Sequence, residues 1–162
     1  MDTMQLLRLI ETDPLISDQD LADALNVTAG EVSAAKKRLE NDKVICGYRT
    51  IINWDRTGAE HCDAIIQVSA KPERDVGYDR IAGRIARYPE VTSLYLMSGT
   101  SEFFVFIEGT TMREVSDFVA RKLAPIEGVT ATVTCLQLKQ YKIEGRLLEE
   151  EKRADERLLV EP

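Results

Sequence analysis

The spacing of the apolar residues changes once along the chain, and this change restricts the fold more than any other feature. In the first 45 residues apolar side chains recur every three or four positions, which is typical of amphipathic helices. From Asp63 onward, strand-like and helical segments alternate in the order β-α-β-β-α-β. We therefore expect the 162 residues to form two small domains, one helical and one of mixed α and β structure.

The helical part is predicted to be three short helices joined by very short turns. Pro14 ends the first helix, and Ser17 precedes the second. Thr28 and Glu31 form a T-x-x-E capping box, in which each side chain satisfies a backbone amide at the start of the third helix. Two helices joined by so short a turn are the helix-turn-helix arrangement, whose second helix can enter the major groove of DNA.

Positive charge is concentrated in one short stretch of an acidic chain. The formal net charge is −7, and residues 1–35 hold one basic and seven acidic side chains. Residues 36–49 reverse this balance with five basic and two acidic side chains. Any DNA binding must therefore come from local charge. We expect the contacts to come from the third helix and the segment after it, through Thr28, Ser33, Lys36, Lys37, Arg38, Lys43 and Arg49.

Two other interpretations of these side chains stay open. Lys36, Lys37 and Arg38 occupy consecutive helical positions and point in different directions, so at most two can face a phosphate backbone together. Such a triplet is also typical of a solvated helix face. Thr28 and Ser33 can donate to phosphate, but Thr28 also fits the role of a helix cap.

The composition also predicts where one domain ends and the next begins. Residues 43–53 are rich in β-branched and aromatic side chains and predict a strand that serves as a wing beside the helices. Turn-forming residues collect at 54–62 and indicate a linker. The predicted organisation is a helix-turn-helix domain at 1–53, a linker at 54–62, an effector-binding and oligomerisation domain at 63–142, and a charged C-terminal tail at 143–162. The apolar end of this tail, Leu158 to Val160, could dock on a neighbouring subunit.

The second half predicts a ferredoxin-like βαββαβ unit, which makes the fold class α+β. Its predicted elements are strands at 63–70, 91–98, 103–108 and 129–139 and helices at 75–88 and 111–123. Both helices of such a unit lie on one face of an antiparallel sheet. Because the other face is too apolar to leave in water, we expect a second copy of the chain to cover it in a homodimer.

Several classes of protein are disfavoured by composition. No stretch approaches the length of a spanning helix, and the N-terminus lacks a signal-peptide pattern, so a cytoplasmic protein without a membrane partner is expected. Cys46, Cys62 and Cys135 are too few and too far apart for a disulfide framework or a zinc site. The lone His61 has no ligand cluster or nucleophile beside it. We expect no metal, no cofactor and no enzymatic activity.

Several short motifs, in this order of elements, resemble the Lrp/AsnC family of transcriptional regulators. The motifs shared with the family as a whole are R-L-E (38–40) and V-I-x-G-Y-R (44–49). The chain is especially similar to a branch of the family that also carries I-N-W-D (52–55), L-Y-L-M-S-G (94–99), K-L-A-P (122–125) and a D-E-R-L-x-V ending (155–160). The resemblance extends to about Lys142 and implies a winged helix-turn-helix followed by a RAM-type ferredoxin-like domain. It also implies dimers, often assembled into octamers, that bind double-stranded DNA and respond to amino acids or related small molecules.

The resemblance places an effector site at the sheet hairpin and on the last strand. The matching residues are Gly99, Thr100, Ser101, Glu102, Thr132 and Thr134. The chain departs from the family twice. The usual G-x-x-D of the hairpin ends here in Glu102, which is one methylene longer. The third helix has alanines where arginines are common, which implies weak readout of guanines.

Two alternative functions stay open. One is an oligomeric, metabolite-binding module whose DNA binding is weak or lost, which the acidic first 35 residues favour. The other is an enzyme similar to the sirohaem decarboxylases, which need histidines and arginines around a tetrapyrrole. The chain has a single histidine, so this second alternative has little support.

Overall fold

The structure is a computed structural model that describes residues 1–148, and the chain divides after Ile51 into two units. Each unit buries a hydrophobic core of its own. Among the described residues, no helix combines the length and the apolar character that crossing a membrane requires.

The N-terminal unit is built from three helices, α1 (Thr3–Thr12), α2 (Asp18–Leu25) and α3 (Ala29–Asn41). Ser17 caps α2, because its hydroxyl accepts a hydrogen bond from the Asp20 amide at 3.1 Å. Asn26 ends α2 in the left-handed conformation, with φ of 53°, which turns the chain sharply into α3. The core consists of Leu6, Ile10, Leu21, Ala22, Val32, Ala35 and Leu39. The helix-turn-helix prediction is confirmed.

The strand predicted at 43–53 is wrong. Residues 46–53 adopt neither helix nor strand. A strand satisfies its backbone groups by pairing with a neighbour, and the N-terminal unit otherwise consists of helices and short turns. The β-branched and aromatic side chains that suggested the strand remain largely exposed, as Val44 (55 %) and Tyr48 (48 %) illustrate.

The C-terminal unit confirms the predicted βαββαβ order. Its elements are β1 (Cys62–Ala70), α4 (Asp79–Ile85), β2 (Val91–Leu96), β3 (Phe103–Gly109), α5 (Met112–Phe118) with a π-helical continuation (Val119–Leu123), and β4 (Val129–Leu136). The four strands form one antiparallel sheet in the order β2-β3-β1-β4. A 3-10 turn, Trp54–Arg56, precedes this unit's first strand.

The two faces of the sheet differ in what covers them. Alternate residues of β1, including Ile66 and Val68, are fully buried against a core shared with α4 and α5. The strand register places the other residues of β1 on the opposite face, together with Tyr95, Phe104, Phe106, Val133 and Cys135. Tyr95 is 53 % exposed and Val133 is 56 % exposed in the single chain. This open face is therefore apolar and uncovered by the chain's own helices.

Some element boundaries differ from those expected. The helix predicted at 75–88 begins only at Asp79, because residues 73–77 form a tight loop in which Asp75 has a φ of 71°. The tail predicted from residue 143 begins inside a small hairpin, β5 (Lys142–Ile143) and β6 (Arg146–Leu147). The predicted docking segment at 158–160 and the motif at 155–160 lie outside the described residues.

Candidate functional site

The start of α3 is held by the predicted capping box. The Thr28 hydroxyl accepts from the Glu31 amide at 3.3 Å and donates to the Glu31 carboxylate at 2.8 Å. The Thr28 amide donates to the same carboxylate at 2.9 Å. The two bonds that the Glu31 carboxylate accepts lower the pKa of Glu31, and the bond from the Thr28 amide has the larger effect. The Thr28 side chain, predicted to contact DNA, is therefore already engaged as a cap in the DNA-free chain.

The buried side of α3 fixes which residues face outward. Because Val32, Ala35 and Leu39 are in the core, helical geometry directs Lys37 to the opposite side. Arg38 lies at the edge of that side, and both cations are exposed. Ser33 lies next to Lys37 on the helix surface and is half-buried. The outward side of α3 therefore presents two adjacent positive charges.

Lys36, the third residue of the basic triplet, is held by an ion pair within the domain. Its Nζ donates to Oδ1 of Asp18, the first residue of α2, at 2.9 Å. The Lys36 side chain is 22 % exposed and that of Asp18 is 36 % exposed. This hydrogen bond raises the pKa of Lys36, against the opposing effect of partial burial. The pair links α2 to α3, and the Asp18 carboxylate neutralises the Lys36 charge.

The end of α3 places Lys43 in an unusual conformation. The Val44 amide donates to the Leu39 carbonyl at 2.9 Å, and the Lys43 amide donates to the Glu40 carbonyl at 3.1 Å. These two bonds form a Schellman motif. Lys43 occupies its left-handed position with φ of 59°, where glycine is usual. The side chain is exposed just beyond the helix end. Arg49 is also exposed, in the irregular segment that follows.

The hairpin predicted to hold an effector is longer than expected. The strand predicted at 91–98 ends at Leu96, so residues 97–102 form the connection, which the Met97 amide closes by donating to the Glu102 carbonyl at 2.8 Å. We call these residues the 97–102 loop. Gly99 and Thr100 are exposed, whereas Ser101 is buried. Gly99 lies outside the left-handed region, and a Cβ added to it would meet no atom within 4 Å.

The Glu102 carboxylate anchors this loop to the sheet. Its Oε2 accepts a hydrogen bond from the Ala70 amide at 2.8 Å. Ala70 is the last residue of β1, where the register with β4 shifts. The carboxylate therefore serves a structural role at the sheet end, which the sequence alone did not reveal.

The two threonines of β4 lie at different distances from the loop. Thr132 pairs with Val68, which in turn pairs with Phe103 next to Glu102. Thr132 is thus two strands away from the loop end, a separation of roughly 10 Å. Thr134 pairs with Ile66, two residues farther along the sheet. The structure brings Thr132 to the same end of the sheet as the loop and leaves Thr134 deeper in the strand.

His61 and the acidic residues do not assemble a metal site in the part of the chain that is described. The His61 ring stacks on Trp54 with centroids 5.5 Å apart, and its Nε2 lies 2.9 Å from the Asp63 carboxylate. Within residues 1–148, no group of three or more His, Cys, Asp or Glu side chains is arranged to hold a metal ion.

Known proteins match both units of the chain. Residues 3–45 match the winged helix-turn-helix DNA-binding family, and residues 63–147 match the Lrp/AsnC ligand binding domain. The chain is 35 % identical to YugG, an uncharacterized HTH-type transcriptional regulator of Bacillus subtilis, over 159 aligned residues. This alignment covers 98 % of this chain and 95 % of YugG.

Solved structures share the fold. The leucine response regulatory protein LrpA of Mycobacterium tuberculosis aligns with a TM-score of 0.73 at 20 % identity, covering 92 % of this chain and 100 % of LrpA. A transcriptional regulator of Neisseria meningitidis in complex with L-Met aligns with a TM-score of 0.67 at 20 % identity, covering 88 % of this chain and 93 % of that one. The chain belongs to the Lrp/AsnC family and is a DNA-binding transcriptional regulator with a ligand-binding domain.

Proposed function

We propose that this regulator binds DNA through the outward side of α3 and the segment after it, and that an amino acid bound at the 97–102 loop modulates its action. The DNA contacts are assigned to Lys37, Arg38, Lys43 and Arg49, with Ser33 as a neutral donor. The observation that carries the assignment is the exposure of Lys37 and Arg38 on the side of α3 that faces away from the core. Because α3 is the second helix of the helix-turn-helix, cations on its outward side can contact phosphates along the major groove.

A salt series tests the DNA contacts. Replacing Lys37 and Arg38 together with alanine should weaken binding to all sequences and flatten the dependence of log affinity on log salt by about 0.9 for each lost phosphate contact. A matched control is Lys71→Ala with Arg74→Ala, which removes the same charge from exposed residues of the other unit. Equal losses in the two double variants would contradict the assignment, and so would an unchanged slope.

We infer that the acting species is at least a homodimer that covers the open face of the sheet. Tyr95 and Val133 are more than half exposed in the single chain, and the aromatic Phe104 and Phe106 lie on the same face. A contiguous apolar face of this kind is typical of an oligomer interface. Closed two-fold symmetry would cover both copies of the face at once. Higher assembly, up to an octamer, is part of the same proposal.

The effector is proposed to be an amino acid because the loop offers groups for both ends of a zwitterion. Neither backbone conformation nor packing requires glycine at position 99, and the space beside it is open to a ligand. Loop amides near Gly99 can hold a carboxylate, and the Glu102 oxygen that Ala70 does not engage can accept from an ammonium group. The hydroxyls of Thr132 and Thr134 complete the proposed site. The Neisseria neighbour bound to L-Met supports this class of ligand.

Calorimetric titration with the common amino acids tests the effector site. Glu102→Gln keeps an oxygen for the Ala70 amide but removes the charge, so it should weaken binding without unfolding the loop. Glu127→Gln makes the same charge change at a largely exposed carboxylate that instead pairs with Arg80. If no amino acid bound the intact protein, the effector proposal would be wrong. The DNA proposal would be unaffected, because the salt series tests it separately.

A further inference from the structure

The chain turns back on α3 directly after the helix ends. The Leu39 carbonyl accepts hydrogen bonds from the amides of Val44 at 2.9 Å and Ile45 at 3.0 Å. The Ile45 side chain packs against the core of the N-terminal unit. The Cys46 thiol donates to the Lys43 carbonyl at 3.2 Å. These contacts hold the first turn after the helix, but they do not set the direction of the chain beyond it.

Tyr48 sets that direction. Its hydroxyl donates to Oε1 of Glu40, in the last turn of α3, at 3.0 Å. Partial burial, and to a smaller extent this hydrogen bond, raise the pKa of Tyr48, so the hydroxyl keeps its proton at neutral pH. The charges of Lys36 and Asp18 also act on this hydroxyl, which therefore lies close to the ion pair between α2 and α3. The bond from Tyr48 to Glu40 closes residues 40–48 into a loop, which we call the 40–48 loop.

Lys43 occupies a sharp turn within the 40–48 loop. Its φ of 59° is left-handed, a conformation that costs free energy for any residue with a side chain and in which glycine is usual. Such conformations are concentrated at functional sites. The Lys43 side chain is exposed at the end of α3. Because a lysine also stabilises a helix end by its charge, stability and DNA affinity have to be measured separately.

Closure of the 40–48 loop affects the affinity of Lys43 for a phosphate. If the bond from Tyr48 to Glu40 were absent, the residues after Lys43 would sample more conformations in the free protein. They would then have to be ordered when DNA binds, and such ordering reduces affinity. A loop that is already closed avoids this loss.

We propose that Tyr48 and Glu40 are positioning residues for DNA binding, which hold the 40–48 loop closed so that Lys43 contacts the phosphate backbone at the end of α3. Neither Tyr48 nor Glu40 has to touch DNA itself. The inference rests on the proposed function, because it takes Lys43 as one of the DNA contacts. It adds that two residues outside the set of contacts control one of them.

Fluorescence anisotropy of the full chain with a labelled duplex of random sequence, over a series of salt concentrations, tests the role of Tyr48. Tyr48→Phe removes only the hydroxyl and changes no charge. It should weaken binding by roughly three- to ten-fold, about the effect of one hydrogen bond. It should also flatten the dependence of log affinity on log salt by up to about 0.9, because the phosphate contact of Lys43 is impaired. Tyr141→Phe, which removes a hydroxyl from an exposed tyrosine of the other unit, should change neither quantity. An unchanged slope in Tyr48→Phe would overturn the proposal.

Glu40 offers a conservative variant for comparison. Glu40→Gln and Glu40→Ala remove the same charge, but only glutamine keeps an oxygen that can accept from Tyr48. Glu40→Gln should therefore bind DNA more tightly than Glu40→Ala, again by roughly three- to ten-fold. Adding Tyr48→Phe to Glu40→Ala should have little further effect, because the bond is already lost. Equal affinities of Glu40→Gln and Glu40→Ala would overturn the proposal.

Lys43→Gly separates positioning from stability. Glycine relieves the left-handed backbone, so this variant should remain folded in urea unfolding and yet bind DNA less tightly, with a flatter salt dependence. In the Lys43→Gly background, Tyr48→Phe should change DNA affinity little, because the side chain that it positions is absent. A full effect of Tyr48→Phe in that background, or wild-type binding by Lys43→Gly, would overturn the proposal.

The double variant of Lys37 and Arg38 distinguishes failure of this inference from failure of the proposed function. If that variant lost affinity and slope as expected while Tyr48→Phe kept the wild-type slope, only the positioning role would be wrong. If the double variant also kept the wild-type slope, the assignment of the DNA interface would be wrong as well.

Discussion

Replacing Asp18 with asparagine should increase the affinity of this regulator for DNA. Asp18 begins α2 and holds the Lys36 ammonium at 2.9 Å. In a helix-turn-helix the first helix crosses the DNA backbone while the second enters the groove. If α3 binds DNA as we propose, this pair would therefore lie near a phosphate strand. On that proposal, the Asp18 carboxylate occupies the position beside Lys36 that a phosphate would take. Without its charge, Lys36 can turn to the DNA.

The size of the effect follows from the pair's exposure and from counterion release. A pair whose members are 22 and 36 % exposed contributes only about 0.2–1 kcal/mol to stability, so Asp18→Asn should still fold. One added phosphate contact should steepen the salt dependence by about 0.9 in log affinity per log salt, which corresponds to roughly eight-fold tighter binding at 0.1 M salt. Fluorescence anisotropy with labelled duplexes at several salt concentrations measures both quantities.

Asp23→Asn is the matched control, because it changes the net charge equally on the same helix. Asp23 accepts from Gln19 at 2.9 Å rather than from Lys36. Only Asp18→Asn should steepen the dependence of log affinity on log salt. Adding Lys36→Met to Asp18→Asn should cancel the gain in DNA affinity, whereas Lys36→Met alone should change the affinity of the wild type little. Equal slopes for the two asparagine variants would refute the reasoning, as would a large loss in Lys36→Met alone.

Three further predictions concern the fold and the assembly. Lys43→Gly should be about 1 kcal/mol more stable than Lys43→Ala in urea unfolding, because only glycine relieves the left-handed backbone, while both lose the same charge. Val133→Asp should convert the dimer to monomers in light scattering, whereas Val76→Asp, an equally exposed position off the open face, should not. The pKa of Glu31 is lowered in the folded chain, so its contribution to stability is complete above its ordinary value of 4.5 and is lost as the pH falls through the lower folded value. Glu31→Gln keeps the capping bonds but cannot titrate, so its unfolding free energy should fall less steeply below pH 4.5, and an identical slope would contradict the cap.

The predictions that succeeded depended on contacts close in sequence. The capping box from Thr28 to Glu31 spans four residues, and its T-x-x-E pattern can be recognised in the sequence. The order of the sheet followed from the alternation of strand and helix patterns, because few topologies bury both helices on one face. Local signals therefore located α3 and the hairpin that carries the 97–102 loop.

The features that the sequence did not reveal depend on residues far apart along the chain. Asp18 reaches Lys36 across 18 residues, and Glu102 reaches the Ala70 amide across 32. A carboxylate has many possible partners at such separations, and only the packed fold selects one. The wrong strand at 43–53 has the same cause, since side-chain preference cannot supply the neighbour that a strand needs.

The two separate hydrophobic cores affect how such a regulator can evolve. The cluster around Leu6 and Leu39 and the cluster around Ile66 and Phe103 have no member in common in residues 1–148. A substitution that repacks one core leaves the other with its own buried contacts. Recombination at the boundary after Ile51 can therefore join a helical unit that reads one operator to a sheet unit that senses another metabolite, without a new core having to form. New regulatory connections can then arise by exchanging whole units, while each unit continues to be selected for its own stability.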